Sequence, residues 1–219
     1  MPFYQSRGEI PNKRHTVFKN PDGGIYYEEL VSREGFSYIY SNLYHLNMPT
    51  KVKELGVFKS NDKLSSLKED HKPCHFMPSS NSSLLYNNDI LIGTFTFDKK
   101  YLYKDYTFKR NGDSDLLLYI QGGSGTLKTN YGNLDIHEGD YIVIPRGVIY
   151  QIYVDTDLCG LEIYSKSPIE TPSKYRNRVG QLLEHSPFCE RDIRTPELKD
   201  PINKEGEFHV LVNFREGVK

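Results

Sequence analysis

The sequence predicts a mostly β fold, a double-sheet jelly roll preceded by an irregular amino-terminal arm. Composition is the first observation: the chain has 17 tyrosines and 11 phenylalanines but no tryptophan and no alanine. Strands favour aromatic residues, and helices lose their best former when alanine is missing. The second observation is a series of short β-rich runs separated by turn residues, which begins after residue 88 and is typical of jelly rolls.

Residues 1–88 are predicted to form loops and an arm that packs on the barrel. Their apolar residues occur in scattered pairs between residues that favour turns. These are Pro11, Pro21, Gly23, Gly24, Pro49, Pro73 and Pro78. One short helix is predicted at 52–55.

Residues 89–165 are predicted to form the barrel. Eight runs rich in β-branched and aromatic residues are separated by turn residues, a spacing typical of a closed double sheet. The runs are 90–97, 101–108, 115–121, 125–129, 133–137, 141–145, 149–154 and 158–164. The glycine-rich stretch 122–125 lies between two of them. It predicts a hairpin turn rather than a phosphate site, because no helix follows it.

Residues 166–219 form the third predicted segment. We expect a helix at 173–184, followed by a strand at 207–214 whose apolar residues alternate.

Charge and cysteine content exclude several classes of protein. Charged residues make up 26% of the chain and nearly cancel, leaving a net charge of -1, so we expect no nucleic-acid partner. Apolar runs such as 116–120 are far too short to cross a bilayer. Three cysteines without a CxxC spacing fit neither a disulfide framework nor a thiolate zinc site. We therefore expect a soluble, cytoplasmic protein without a membrane partner.

Two spaced motifs in the barrel match the positions at which cupin jelly rolls place their metal ligands. The matching positions are Lys109, Asn111, Asp115 and Gly122, followed by Gly139, Pro145, Gly147 and Tyr150. The glycines and the proline fit the tight turns of that fold. Iron, manganese and zinc prefer imidazole and carboxylate donors, whereas Lys109 offers an ammonium and Tyr150 a phenol. We therefore predict a degenerate cupin barrel that binds no metal.

Several further stretches carry a resemblance to one family. They are Gly8-Glu9-Ile10-Pro11, Lys13-Arg14-His15-Thr16, Pro21-Asp22-Gly23, Tyr26-Tyr27-Glu28-Glu29-Leu30, Glu34-Gly35-Phe36, Leu43-Tyr44-His45, Pro49-Thr50, Asn111-Gly112-Asp113-Ser114-Asp115, Gly139-Asp140-Tyr141, Ile144-Pro145-Arg146-Gly147 and Pro187-Phe188-Cys189-Glu190-Arg191-Asp192. Together they resemble the amino-terminal region of homogentisate 1,2-dioxygenases. The resemblance implies an iron(II) enzyme with two cupin-like halves. Such an enzyme opens the ring of homogentisate with O2 to give maleylacetoacetate, in tyrosine and phenylalanine catabolism.

The same resemblance implies where the chemistry lies. The family's iron ligands, two histidines and a glutamate, belong to the carboxy-terminal half, and no stretch up to Lys219 matches their motif. We therefore expect this chain to be an amino-terminal scaffold and assembly domain. Alone it is expected to be inactive, with no catalytic residue and no cofactor of its own. Its expected partners are its own carboxy-terminal half, neighbouring subunits in trimers or hexamers, and a small aromatic acid as substrate.

Arg110 and Asn111 are candidate substrate-binding residues, which the resemblance would direct toward a neighbouring subunit's site. A guanidinium can hold a carboxylate in a planar fork. The alternative is that residues 111–114 are turn formers, since asparagine, glycine, aspartate and serine dominate turns.

Two other functions stay open at this point. One is a stand-alone metal-free cupin that binds a small molecule in its barrel. The other is a cupin isomerase or sugar-modifying enzyme that uses Tyr150 and Lys109 as acid and base. His71, Cys74 and His75 suggest a metal site, but Pro73 and the lack of a fourth nearby ligand favour a polar loop.

Overall fold

The computed structural model describes residues 19, 21–37, 40–49, 82–97, 107–196, 204, 206–214 and 217–218. Eleven strands are present in these residues. They are β1 (Tyr27–Ser32), β2 (Tyr40–His45), β3 (Ser82–Tyr86), β4 (Ile90–Phe97), β5 (Thr107–Asn111), β6 (Asp115–Thr129), β7 (Gly132–Ile136), β8 (Tyr141–Ile144), β9 (Ile149–Ser165), β10 (His209–Phe214) and β11 (Gly217–Val218).

Two long antiparallel strands, β6 and β9, form the centre of the barrel and pair along most of their length. The first half of β6 also pairs with β8 and its second half with β7. Strand β9 pairs with β5 near its start and with β4 toward its end. Each long strand therefore runs through both layers of a curled sheet. This arrangement confirms the predicted mostly β, cupin-like fold class.

The core lies between these two layers. Alternate residues of a strand point to opposite faces, and the inward set along β6 is apolar: Leu116, Leu118 and Ile120 are at most 3% exposed. Further residues of the barrel complete the same cluster. They are Phe95, Leu127, Ile136, Ile142, Ile144, Val148, Tyr150, Ile152, Val154 and Leu158.

The hairpin turn predicted at 122–125 is wrong. These residues lie inside β6, where the pairing register with β9 shifts between Ile120 and Gly122 and again on either side of Ser124. Gly123 has a φ of 96°, a value that glycine adopts readily. The glycines therefore form β-bulges that bend one strand between the two layers, so the predicted runs 115–121 and 125–129 are one strand.

The remaining strand predictions have different outcomes. The runs 149–154 and 158–164 are likewise one strand, β9, whereas β4, β7 and β8 lie where runs were predicted. Of the run 101–108, only its last two residues are described, at the start of β5. The predicted strand at 207–214 is confirmed by β10, which pairs in parallel with β5.

The helix predicted at 173–184 is wrong. Only a 3-10 turn, Ser173–Tyr175, is present there. The Asn177 side-chain oxygen accepts the backbone N–H groups of Val179 and Gln181, both at 3.0 Å. These bonds offer the backbone an alternative to helical pairing.

The amino-terminal arm contains a hairpin that the sequence did not predict, β1 paired with β2. Strand β3, also within residues 1–88, pairs with β4. The sheets thus draw strands from all three predicted segments, while the boundaries 1–88, 89–165 and 166–219 stay predictions. The helix at 52–55 and the trio His71, Cys74 and His75 lie outside the described residues. Within the described part of the chain, no helix has the length and apolar character to span a membrane.

Candidate functional site

Three of the four degenerate cupin positions face the barrel interior together. Lys109 on β5 pairs directly with Tyr150 on β9, and the Tyr150 side chain belongs to the buried core. Directly opposed residues share a face of the sheet, so Lys109 points inward. Asn111, two residues further along β5, shares that face.

The fourth position, Asp115, lies on the opposite face of β6 from the core residue Leu116. It is fully buried, and its carboxylate contacts three separate segments. Arg33 Nε lies 3.2 Å from Oδ2, and the backbone N–H groups of Arg146 and Ile169 donate to the two oxygens at 2.9 Å. Asp115 therefore fastens the arm, a barrel loop and the segment after the barrel to one another.

Glu162 is an interior carboxyl that the sequence analysis missed. It pairs with Leu118 of the core and is 6% exposed. Burial raises the pKa of Glu162 to about 7, while the bond from the Tyr164 hydroxyl and the positive charge of Lys109 act in the opposite direction. Tyr164 donates to Glu162 Oε2 at 3.2 Å. The interior thus holds a carboxyl group that is partly neutral near pH 7.

Lys109 and Asn111 contribute different polar groups to this interior. Lys109 Nζ lies 5.7 Å from the centre of the Phe97 ring, within the range of cation–π attraction. Asn111 is 1% exposed, and among the residues that the structure describes neither its amide nitrogen nor its amide oxygen has a hydrogen-bond partner. A buried amide with an open donor and an open acceptor is complementary to a small polar molecule, water included.

The interior donor set does not fit the iron that the family resemblance implies for the complete enzyme. It consists of an ammonium, an amide, phenols and one carboxyl, whereas non-haem iron sites use two imidazoles and a carboxylate. The described residues contain no cluster of three histidine, cysteine, aspartate or glutamate side chains able to hold a metal ion.

Arg110 points away from Asn111, to the outside of the barrel, because adjacent strand residues face opposite sides. Its guanidinium lies 3.4 Å from Glu29 Oε1 on β1. The other oxygen of Glu29 lies 3.0 Å from His45 Nε2 on β2. Arg110 therefore joins the arm hairpin to the barrel, and the structure does not bring the two predicted substrate-binding side chains together.

The sequence carries a signal for the inward position of Glu162. Within the predicted run 158–164, Leu158, Gly160 and Glu162 occupy the same face by alternation. A charged residue in register with a buried leucine indicates an interior carboxyl.

Residues 72–168 match the family described as homogentisate 1,2-dioxygenase N-terminal. A candidate dioxygenase from Saccharolobus solfataricus is 35% identical, over 99% of this chain and 58% of its own length. The chain therefore spans less than two thirds of that relative.

Two solved structures are similar to part of this chain. A protein with a cupin-2 domain from Shewanella frigidimarina is 15% identical over 42% of this chain and 84% of its own, with a TM-score of 0.36. A variant of salicylate 1,2-dioxygenase from Pseudoaminobacter salicylatoxidans is 14% identical over 35% of this chain and 21% of its own, with a TM-score of 0.31.

Proposed function

From the match of residues 72–168 to the homogentisate 1,2-dioxygenase N-terminal family, we propose that the chain is the amino-terminal half of an iron-dependent enzyme that opens the ring of homogentisate. In this proposal the chain is a scaffold and assembly domain. Its carboxy-terminal half supplies the iron ligands, and neighbouring subunits complete a trimer or hexamer. The product of the complete enzyme is maleylacetoacetate.

The coverage of the relative is the observation that carries the proposal. Nearly all of this chain aligns with a protein of which it accounts for 58%. The match of residues 72–168 to a family described as N-terminal supports the amino-terminal half.

The interior chemistry supports a division of labour between the two halves. Metal-ligand positions of the barrel hold Lys109, Asn111 and Tyr150, which do not make an iron site. Asp115, at the position of the cupin glutamate, contacts Arg33 and two backbone N–H groups instead. The absence of an iron site at these positions and the contacts of Asp115 favour a structural role for this barrel.

The contacts of Arg110 and Asn111 indicate which of the two is the better candidate for binding substrate. The ion pair between Arg110 and Glu29 favours a structural role for Arg110. Asn111 retains an open donor and acceptor, so it is the better candidate for a polar contact with a small molecule.

Iron binding tests the proposal. The purified chain and the product of the full gene would each be incubated anaerobically with Fe(II), desalted and assayed for metal. We expect about one iron per full-length chain, and less than about a tenth of that for the 219-residue chain, because its barrel lacks imidazole donors. Stoichiometric iron in the short chain would contradict the scaffold role.

A second function, binding of a small molecule in the metal-free barrel, is favoured by the unpartnered amide of Asn111. Titration calorimetry with benzoate and phenylacetate as probes would test it. The second function predicts heat of binding that is lost in Asn111→Leu and kept in the control Asn133→Leu, whose side chain is exposed on β7. No measurable heat for either probe would reject binding of small aromatic acids.

A further inference from the structure

Three polar side chains lie on the inner face of two neighbouring strands, β5 and β10. Lys109 and Asn111 are two residues apart on β5, so they share a face and lie about 7 Å apart along the strand. Asn213 of β10 pairs in register with Asn111, so it lies beside Asn111 on that face, about 4.8 Å away. We call Lys109, Asn111 and Asn213 the interior polar trio.

The interior polar trio extends from solvent to a fully buried amide. Lys109 and Asn213 are half-buried, so solvent reaches both side chains, whereas Asn111 is 1% exposed. In the described part of the chain, both polar atoms of the Asn111 amide are buried without a hydrogen-bond partner. Such atoms cost folding free energy, which is why nearly all of them in native proteins are paired. A ligand that carries both an acceptor and a donor would satisfy this amide.

The charge of the interior favours an anion as that ligand. Lys109 contributes an ammonium whose charge acts on the buried carboxyl of Glu162, and burial raises the pKa of this carboxyl to about 7. Below that pH the carboxyl is mostly protonated, so Glu162 does not fully balance the charge of Lys109. An anion beside the ammonium supplies the missing negative charge.

Each group of the interior polar trio selects one part of the ligand. An ammonium and an amide N–H bind a carboxylate through charge-assisted hydrogen bonds. The amide oxygen of Asn111 needs a donor, which a carboxylate does not have, so the ligand also carries a hydroxyl group. The ligand is small, because the rest of the barrel interior is the closely packed apolar core.

We propose that the interior polar trio binds a small hydroxycarboxylate, with its carboxylate on Lys109 and its hydroxyl group on the amide oxygen of Asn111. Asn213 adds an amide N–H to the same carboxylate. This inference rests on the second function proposed above, binding of a small molecule in the metal-free barrel, and names the class of that molecule. It does not depend on the iron-dependent reaction.

Titration calorimetry of the 219-residue chain at pH 6 tests the ligand class with three probes of similar shape. Lactate has both the carboxylate and the hydroxyl group, propionate lacks the hydroxyl group, and lactamide lacks the charge. We expect lactate to bind with a Kd of about 0.1 to 1 mM. Propionate and lactamide should each bind at least about tenfold more weakly, because each leaves one interior group without its partner.

Substitutions locate the binding site. Asn111→Leu and Lys109→Met should each weaken lactate binding at least about tenfold. Asn133→Leu and Lys174→Met are the matched controls, since both side chains are exposed and lie outside β5 and β10. Far-UV circular dichroism verifies the fold of each variant. If Asn111→Leu does not fold, the half-buried Asn213 decides the test, and Asn213→Leu should weaken lactate binding at least about threefold.

The outcomes separate this inference from the proposals on which it rests. If benzoate or phenylacetate binds and loses its heat in Asn111→Leu, while lactate does not bind, the second function stands and the hydroxycarboxylate is overturned. If no probe binds, both are overturned. Equal affinity for lactate and propionate, or lactate binding that survives the substitutions of Lys109 and Asn111, would also overturn the inference.

Discussion

The guanidinium of Arg33, in the arm, lies 3.2 Å from the carboxylate of Asp115, which has no exposed surface. The same carboxylate accepts two backbone N–H groups. Removing it leaves two partly buried N–H donors without a partner and takes the counter-ion from Arg33, which keeps only its bond to the Ile169 carbonyl among the contacts of the described residues. We expect Asp115→Ala to lower the free energy of unfolding by about 3 to 5 kcal/mol, measured by urea denaturation.

Asp155 provides the matched control, because it is an exposed aspartate on β9. Asp155→Ala should change the free energy of unfolding by less than about 0.5 kcal/mol. If both substitutions cost the same, Asp115 does not fasten the three segments that it contacts.

The raised pKa of Glu162 should make the free energy of unfolding depend on pH. Its pKa is raised from 4.5 to about 7 in the folded chain, chiefly by burial, so the unfolded chain loses the proton first as the pH rises. The stabilising contribution is complete below pH 4.5 and is lost by about pH 7. Its full size is about 3 kcal/mol by linkage.

Glu162→Gln tests this contribution, because glutamine has no proton to lose. The drop in free energy of unfolding between pH 4.5 and pH 7.5 should shrink by about 2 to 3 kcal/mol relative to the parent chain. Denaturant titrations at the two pH values measure it. An unchanged pH slope would place an ordinary, solvated carboxyl at this position.

Glu29 holds the arm hairpin to the barrel through Arg110 and to its own second strand through His45. Glu29→Gln should cost about 1 kcal/mol, because these pairs are partly buried. It should also speed proteolysis within the hairpin. Glu28→Gln is the control, since Glu28 is the exposed neighbour on the other face of β1. Equal effects of the two substitutions, or an effect that persists undiminished in high salt, would argue against the ion pairs.

Gly160 of β9 lies against the backbone of the paired strand β6. A Cβ on this residue would clash with the carbonyl oxygen of Tyr119, whereas a Cβ on Gly122 would have Cys159 Sγ at 3.6 Å as its nearest neighbour. We expect Gly160→Ala to cost at least about 2 kcal/mol, because the backbone must shift, and Gly122→Ala to cost less than about 1. Thermal unfolding of the two variants compares them directly. A reversed order would mean that the two strands are not this close.

The sequence was sufficient to predict the barrel because inward positions such as Leu116, Leu118 and Ile120 alternate regularly. It did not show that the glycines at 122–125 continue a strand, since turns and bulges use the same residue. The hairpin of β1 and β2 was missed for another reason. Its apolar residues do not alternate, since Leu30 and Val31 are adjacent, and it is held by tertiary contacts such as the pair of Glu29 and Arg110.

The candidate site was predictable only in part. Spacing located Lys109, Asn111 and Tyr150 on the interior face, because the cupin motif fixes strand lengths. It did not show that Asp115 faces outward to Arg33, since one residue of register reverses the face. Glu162 lies outside the motif and becomes visible only from the pairing of β6 with β9.

Oxygen consumption with homogentisate tests the central claim, that this chain is the scaffold half of a dioxygenase, most directly. The 219-residue chain and the full gene product would be compared in an oxygen electrode with added Fe(II). The account predicts O2 uptake and maleylacetoacetate from the full product, and no uptake above background from the chain alone, since its barrel lacks the two imidazoles that iron requires. Turnover by the chain alone, or none by the full product, would contradict it.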